Sequence, residues 1–135
     1  MSDVVAISLQ VDELARVVIG AGIEVHRSLG PGYLECVYEE SLEIELGLRG
    51  VGCLRQAPVV VSYKGRPVGE GRLDILVENC LILELKTVET LMPIHQDQRI
   101  SYLKATDLTL GLLINFNVPV LRDGIKRIAY TKRAP

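Results

Sequence analysis

One short apolar segment of the chain carries two charged residues that could do chemistry. The stretch Leu81–Lys86 is aliphatic except for Glu84 and Lys86. If it forms a strand, alternate side chains share a face, so these two groups point the same way about 7 Å apart. Aliphatic neighbours predict an interior strand, where an unpaired charge costs several kcal/mol. The two groups therefore need each other, or a bound ion, as a partner.

A second acid stands among aliphatic residues in the preceding segment. Asp74 lies in Gly71–Val77, and Glu78 and Asn79 predict a tight turn that brings Asp74 beside Glu84. Two close carboxylates repel each other, and carboxylate oxygens with waters are the ligands that Mg²⁺ prefers. A lysine beside them can hold an activated water or offset charge on a phosphate. A buried cluster that only neutralises itself fits the spacing equally well.

The rest of the sequence predicts the elements that position these residues. Apolar residues recur at helical spacing before Gly30 and again before Gly50, and the period then changes to two. Pro93 suits the first turn of a third helix. We predict helices over 9–29, 33–49 and 93–105, and strands over 59–63, 69–77, 80–86, 108–116 and 125–130. This order predicts an α/β sandwich with a mixed sheet, in a single domain over 1–135.

The second helix is rich in glutamate. Glu35 lies at the edge of its apolar side and Glu45 nearer the middle, so either acid could be the buried one. The remaining glutamates are predicted to face solvent: Glu39, Glu40 and Glu43. The apolar side is predicted to consist of Leu34, Val37, Tyr38, Leu42, Leu46 and Leu48.

The third helix carries three polar or aromatic residues on one face. His95, Gln98 and Tyr102 are spaced by three and four residues. They form either an ordinary semi-polar side or part of a site, in which His95 could bind a phosphate or a carboxylate. Arg72 shares a strand face with Asp74, where it can meet a phosphate or form an ion pair.

The composition excludes several classes of protein. The 135 residues are 48% hydrophobic and 24% charged, which excludes wholesale disorder. No apolar run reaches the roughly 20 residues of a membrane helix. A net charge of −2 argues against strong nonspecific attraction to nucleic acid. The segment 122–135 carries a local charge of +4, so a polyanion is expected to bind only at a local patch or through metal ions.

Cysteine usage bears on location. Cys36, Cys53 and Cys80 form no C-x-x-C pair and no disulfide framework, and we interpret them as buried small hydrophobic residues. The first residues lack the basic flank and cleavage site of a secretory signal. We therefore expect a cytoplasmic protein. His26 is interpreted as a packing or capping residue.

The charged residues and the order of elements resemble the PD-(D/E)XK nuclease superfamily. Asp74 followed by Glu84–Lys86 on adjoining strands matches its motif, with Leu73 in place of the proline. The order helix, three strands, helix, strand over 33–116 matches its core. Gly32–Tyr38 matches the G-x-x-E-x-x-Y signature of a family of small proteins assigned to this superfamily. The resemblance extends over nearly the whole chain and implies a restriction-endonuclease-like three-layer sandwich.

The resemblance implies roles for individual residues. Asp74 and Glu84 become metal ligands, with the carbonyl of Leu85 as a third ligand, and Lys86 becomes the catalytic lysine. Glu35 matches an additional acid that many members place beside the metal.

It also implies roles on the third helix. Gln98 and Tyr102 match a Q-x-x-x-Y pattern of an exonuclease-like branch.

The function implied by this resemblance is hydrolysis of nucleic acid with Mg²⁺ or Mn²⁺ as cofactor. A metal-activated water attacks the phosphodiester in line, Lys86 orients that water, and Gln98 steadies the site. The alternatives are a non-catalytic module of the same fold, which binds nucleic acid or a protein, and a purely structural acid–lysine cluster. The sequence leaves the oligomeric state open, and the resemblance allows a homodimer, because restriction-like folds this small often pair. Nothing in the sequence distinguishes DNA from RNA.

Overall fold

The computed structural model describes the backbone of residues 3–131 and the side chains of residues 10–131. It contains three α-helices, namely α1 (Asp3–Leu29), α2 (Glu35–Leu48) and α3 (Pro93–Thr106). Its strands are β1 (Cys53–Tyr63), β2 (Arg66–Val77), β3 (Leu81–Lys86), β4 (Leu110–Asn115) and β5 (Ile125–Ala129). A 3₁₀ helix over Leu121–Gly124 precedes β5. The predicted order of helices and strands is confirmed.

The strands form one mixed sheet in the order β1-β2-β3-β4-β5. Only β3 and β4 are parallel, and the other neighbours are antiparallel. The central strand is β3, as its aliphatic sequence predicts. The turn between β2 and β3 has positive φ at both Glu78 and Asn79, with angles of 49° and 57°. The backbone N–H of Cys80 donates to the carbonyl of Val77 at 3.0 Å, which closes a turn with these two residues at its centre, and the loop spans three residues because Val77 lies opposite Leu81.

Helices cover both faces of the sheet. On one face, α1 and α2 pack against β2, β3 and β4 through residues such as Val18, Leu42 and Leu83. On the other face, Leu103 of α3 packs against a second cluster that includes Leu113. The protein is therefore a three-layer α/β sandwich of the restriction-endonuclease-like type, as predicted. Strand β4 is buried along its whole length because both helical layers cover it.

Strand β2 changes its environment in the middle. Leu73 packs in the cluster beneath α3, whereas Ile75 packs in the cluster beneath α1 and α2. Residues two apart in a regular strand point to the same face, so β2 must rotate between them. Asp74 is the residue at this point. The pairing of β2 with β3 also ends there, with Ile75 opposite Leu83.

The first two strands are longer than predicted. Strand β1 begins at Cys53 rather than 59, and β2 begins at Arg66 rather than 69. The predicted start of β1 was wrong because Pro58 and the irregular backbone of Gln56, with φ of 53°, interrupt the alternating pattern. The sheet edge tolerates Pro58, since no further strand needs its missing N–H.

Several side-chain predictions on α2 were wrong. Glu39, predicted to face solvent, is 8% exposed because Arg55 and Gln56 of β1 bind its carboxylate. Leu34 and Leu48, predicted to be buried, are 74% and 78% exposed because they lie at the two ends of the helix.

The cysteine and histidine predictions had different outcomes. Cys36 is exposed rather than buried, and Cys53 and Cys80 are half-buried. The ring of His26 is buried, lies 6.3 Å from Phe116, and hydrogen-bonds the carbonyl of Val118 at 2.8 Å. This is the packing role that the sequence suggested.

No helix in the described range 3–131 is long and apolar enough to cross a membrane. Of the basic segment near the end, Lys132 and Arg133 lie outside the described residues, and Arg127 pairs with Asp12 of α1 at 2.6 Å.

Beyond the rest of the sheet, β1 and β2 continue as a two-stranded arm (residues 60–70), in which every residue is exposed. Its turn is formed by Lys64 and Gly65, both with positive φ.

Candidate active site

The structure brings Asp74 and Glu84 together where β2 and β3 separate. The last pair of the ladder, Ile75 opposite Leu83, places these two acids opposite each other at the next step of the register. The backbone N–H of Leu85 donates to Oδ2 of Asp74 at 2.8 Å. The backbone N–H of Asp74 lies 3.4 Å from Oε1 of Glu84. The predicted proximity of the two acids is confirmed, and each carboxylate contacts the other's strand.

Glu84 is the most deeply buried acid of the site, with 3% of its surface exposed. Its pKa is raised to about 8, first by burial and then by the negative charge of Asp74, which together outweigh the lowering by Arg99. If both acids were ionised, the positive charge of Arg99 alone would not offset their burial and mutual repulsion. A divalent cation is a group that would supply the additional positive charge.

Lys86 lies at the end of β3, two residues after Glu84, and is half-buried. Among the described residues its amine forms no ion pair within 4.0 Å. Its carbonyl accepts a hydrogen bond from the backbone N–H of Phe116 at 2.9 Å. This bond extends the parallel pairing of β3 with β4 and fixes the backbone from which the amine projects.

Asn115 is a residue that sequence reasoning missed. It is buried at the end of β4, opposite Lys86 in the register. Its Nδ2 donates to the carbonyl of Val88 at 2.7 Å, and its Oδ1 accepts from the N–H groups of Val88 and Asn117. Asn115 thus anchors the segment that follows Lys86. A polar residue that ends an otherwise aliphatic strand was the available signal.

Arg99 is the second residue that sequence reasoning missed. It lies on α3, is 6% exposed, and its Nη1 contacts Oε2 of Glu84 at 2.5 Å. Its position four residues before the fully buried Leu103 places it on the inner side of the helix. That spacing was the signal for a buried base.

Gln98 and Tyr102 both contact Arg99. Oε1 of Gln98, which is exposed, accepts a hydrogen bond from Nη2 of Arg99 at 3.2 Å. The guanidinium carbon lies 4.6 Å from the centre of the Tyr102 ring. Tyr102 also packs against the backbone of Gly71, where an added Cβ would lie 2.9 Å from the phenol oxygen. Gln98 and Tyr102 are therefore connected to Glu84 through Arg99, which contacts all three residues.

His95 and Arg72 have different surroundings. Nδ1 of His95 accepts a hydrogen bond from the backbone N–H of Met92 at 3.0 Å, which closes the start of α3. Arg72 is exposed and lies opposite Pro58. Within the described part of the chain its guanidinium forms no ion pair with Asp74 or Glu84. Their binding roles remain predictions.

The structure separates the two candidate acids of α2. Glu45 binds Nε of Arg49 at 2.8 Å, one turn along the same helix. Glu35 is exposed, and its pKa is raised overall, chiefly by partial desolvation. The positive charge of Lys86 lowers this pKa and the negative charge of Asp74 raises it, so both groups act on Glu35. Glu35 is therefore the helix acid within electrostatic reach of the site.

The donor set fits a divalent cation held by two carboxylates. Mg²⁺ typically uses one or two protein carboxylates and retains several waters. Asp74 and Glu84 supply two, and their mutual repulsion would be relieved by the cation. Within the described residues, no three histidine, cysteine, aspartate or glutamate side chains are close enough to hold a metal ion. Glu35 therefore does not form a cluster with Asp74 and Glu84 in the structure. Its role as a metal ligand, like that of the Leu85 carbonyl, is a prediction.

Comparisons with known proteins agree with this geometry at the level of the family. The family model described as PD-(D/E)XK nuclease superfamily matches residues 12–128, which include every candidate site residue named above. No curated protein and no solved structure matches the chain. Since the family match covers most of the sequence, the chain belongs to the PD-(D/E)XK nuclease superfamily.

Proposed function

We propose that this protein is a Mg²⁺- or Mn²⁺-dependent phosphodiesterase that hydrolyses nucleic acid, and that it belongs to the G-x-x-E-x-x-Y family within its superfamily. The observation that carries the proposal is the placement of Asp74 beside Glu84, with Lys86 two residues further along the same central strand. An acid pair in a buried setting with too little positive charge is a chemical reason for a cation there.

The chain's own residues divide the chemistry between them. Asp74 and Glu84 would hold the cation, which supplies a water of lowered pKa and neutralises phosphate charge when bound. Lys86 places a positive charge beside the phosphate and donates a hydrogen bond to the attacking water or to a phosphate oxygen. Gln98, exposed beside Arg99, hydrogen-bonds the substrate and holds it against the site.

Cleavage of nucleic acid by purified protein tests this function. Single- and double-stranded DNA and RNA are incubated with Mn²⁺, with Mg²⁺ and with a chelator. We expect Lys86→Ala to lower the rate at least about 100-fold, as the loss of one stabilising donor does in other active sites. Lys104→Ala, which removes an exposed lysine from α3, is the matched control and should cleave like wild type. Equal rates for Lys86→Ala and wild type would exclude the catalytic assignment.

A second candidate function is a non-catalytic module that binds nucleic acid or protein. The ion pair between Glu84 and Arg99 favours it, because it supplies the acid with an internal partner. Under this alternative, calorimetry detects no heat on addition of Mn²⁺, and nucleic acid is bound without being cleaved.

We propose that nucleic acid contacts the arm as well as the site. Lys64 and Arg66 lie at the arm's tip, and β2 leads from there to Asp74. A two-stranded ribbon has dimensions that fit the major groove of a duplex. Replacement of both bases by alanine should weaken binding and reduce its dependence on salt.

We also propose that two copies of the chain pair. Strand β1 is an edge strand, and Leu54, which lies on it outside the arm, is 55% exposed, which supports an apolar contact between copies there. Sedimentation equilibrium at micromolar concentration tests this.

The three free cysteines support a cytoplasmic location, where thiols stay reduced.

A further inference from the structure

Arg99 contacts three residues of the candidate site, namely Glu84, Gln98 and Tyr102. Its Nη1 contacts Oε2 of Glu84 at 2.5 Å, and its Nη2 donates to Oε1 of Gln98 at 3.2 Å. The guanidinium also lies over the Tyr102 ring, 4.6 Å from its centre. One side chain therefore links the buried acid of β3 to the two residues of α3 that the sequence associates with the site.

The protein contacts both oxygens of Glu84 and one oxygen of Asp74. Arg99 binds Oε2 of Glu84, so Oε1 is the oxygen directed toward the backbone of Asp74. Oδ2 of Asp74 is bound by the N–H of Leu85. Of the two contacts of Glu84, the one with Arg99 is much the shorter, so Arg99 is the main restraint on the orientation of this carboxylate.

We propose that Arg99 is a positioning residue that fixes the Glu84 carboxylate for a divalent cation and keeps Gln98 and Tyr102 in place beside it; this rests on the function proposed above. The planar fork of arginine suits the task, since it binds two partners in fixed directions whereas the lysine ammonium is a point charge. Groups that orient a metal ligand in this way typically change metal affinity 10- to 100-fold when they are removed.

Stability alone does not account for an arginine at this position. Its Nε is buried without a hydrogen-bond partner among the described residues, which is an unfavourable arrangement. Well-packed apolar residues often replace a buried ion pair without loss of stability. An arginine that leaves one polar atom unsatisfied is therefore better explained by what its two Nη atoms hold.

The opposite role is a competitor that takes the cation's place on Glu84. The two roles predict opposite changes in metal affinity. Loss of a competitor strengthens cation binding, whereas loss of a positioning residue weakens it. The direction of the change therefore distinguishes them without any measurement of cleavage.

The test measures the Kd for Mn²⁺ by calorimetry at fixed pH, without nucleic acid, for wild type, Arg99→Lys and Arg99→Gln. We expect Arg99→Lys to bind Mn²⁺ about 10-fold more weakly, and Arg99→Gln more weakly still, because it loses both charge and fork. Thermal melting confirms that each variant is folded. Arg55→Lys is the matched control, since Arg55 pairs with Glu39 at 3.2 Å and with neither Asp74 nor Glu84 among the described residues; it should lower the melting temperature without changing the Kd.

Each outcome decides the proposal. Weaker binding in folded Arg99→Lys, with Arg55→Lys unchanged, supports it. Unchanged binding in both Arg99 variants shows a purely structural arginine, and tighter binding shows a competitor; either result overturns it. If wild type itself gives no heat with Mn²⁺, the proposed function fails and this inference fails with it, which is a different result from the other two.

Discussion

Asp74 and Glu84 lie opposite each other at the first register step at which β2 and β3 no longer pair. The separation of the strands leaves room for both carboxylates, and the N–H of Leu85 binds Asp74 instead of continuing the ladder. Two acids are thereby held close together beside a buried arginine. The predictions below follow from the charges and contacts at this point.

Asp74→Asn should remove cation binding without unfolding the protein. The amide oxygen can still accept the N–H of Leu85, whereas the negative charge that attracts a cation is lost. We expect the Kd for Mn²⁺ to rise at least about 100-fold. Above about pH 8, where Glu84 is ionised in the folded protein, the free energy of unfolding should stay equal or increase, because repulsion between the two carboxylates is relieved. Calorimetry and urea denaturation measure the two quantities. Asp97→Asn, the same change at an exposed position of α3, should alter neither.

Glu35→Gln and Glu45→Gln should separate the two candidate acids of α2. The charges of Lys86 and Asp74 both act on the pKa of Glu35, whereas Glu45 forms an ion pair with Arg49. We expect only Glu35→Gln to change the affinity for Mn²⁺. Glu45→Gln should lower the free energy of unfolding by about 0.3–0.5 kcal/mol, as for other exposed helix pairs. A larger effect on Mn²⁺ from Glu45→Gln would reverse the assignment.

The stability of the cation-free protein should fall between about pH 4.5 and pH 8. The unfolded chain loses the Glu84 proton near the ordinary pKa of 4.5, whereas the folded protein keeps it until its raised pKa of about 8. Unfolding in this window releases a proton, so the free energy of unfolding decreases as the pH rises. The contribution of Glu84 to the free energy of unfolding is fully present below about pH 4.5 and is lost above about pH 8.

Glu84→Gln removes the contribution of Glu84 to the pH dependence of stability, so it is the reference variant for this measurement. Chemical denaturation over the same pH range should give a shallower decrease for Glu84→Gln than for wild type. Glu70→Gln, at an exposed position of the arm, should retain the wild-type slope. Identical slopes for wild type and Glu84→Gln would show that Glu84 is ionised throughout.

Gly71→Ala should disturb the aromatic residue beside Arg99. The added Cβ would lie 2.9 Å from the Tyr102 oxygen and 3.1 Å from a ring carbon, so the ring must move. We expect a loss of about 1–3 kcal/mol in the free energy of unfolding. At Gly69 the nearest atom is 3.9 Å away, on Val61, so Gly69→Ala should change it by less than about 0.5 kcal/mol. Urea denaturation compares them, and equal effects would contradict the contact.

The sequence alone determined the architecture around the site. A change of hydrophobic period from helical to alternating marks the passage from α2 to the strands, and Glu78-Asn79 can form the turn that joins β2 to β3. Once that turn is placed, the two strands run antiparallel and Asp74 comes to lie near Glu84. The exact register was decided by the structure, in which Cys80 is a third loop residue and Val77 lies opposite Leu81. The acid pair and the central strand were therefore predictable from local pattern.

Only the tertiary structure decided which distant groups neutralise those acids. Arg99 reaches Glu84 because α3 crosses the far face of the sheet, and Glu39 is buried because Arg55 approaches it from β1. Both contacts depend on how helices pack on the sheet. Periodicity tells which side of a helix is apolar, but it does not specify which charged side chain of another element will meet a polar residue there.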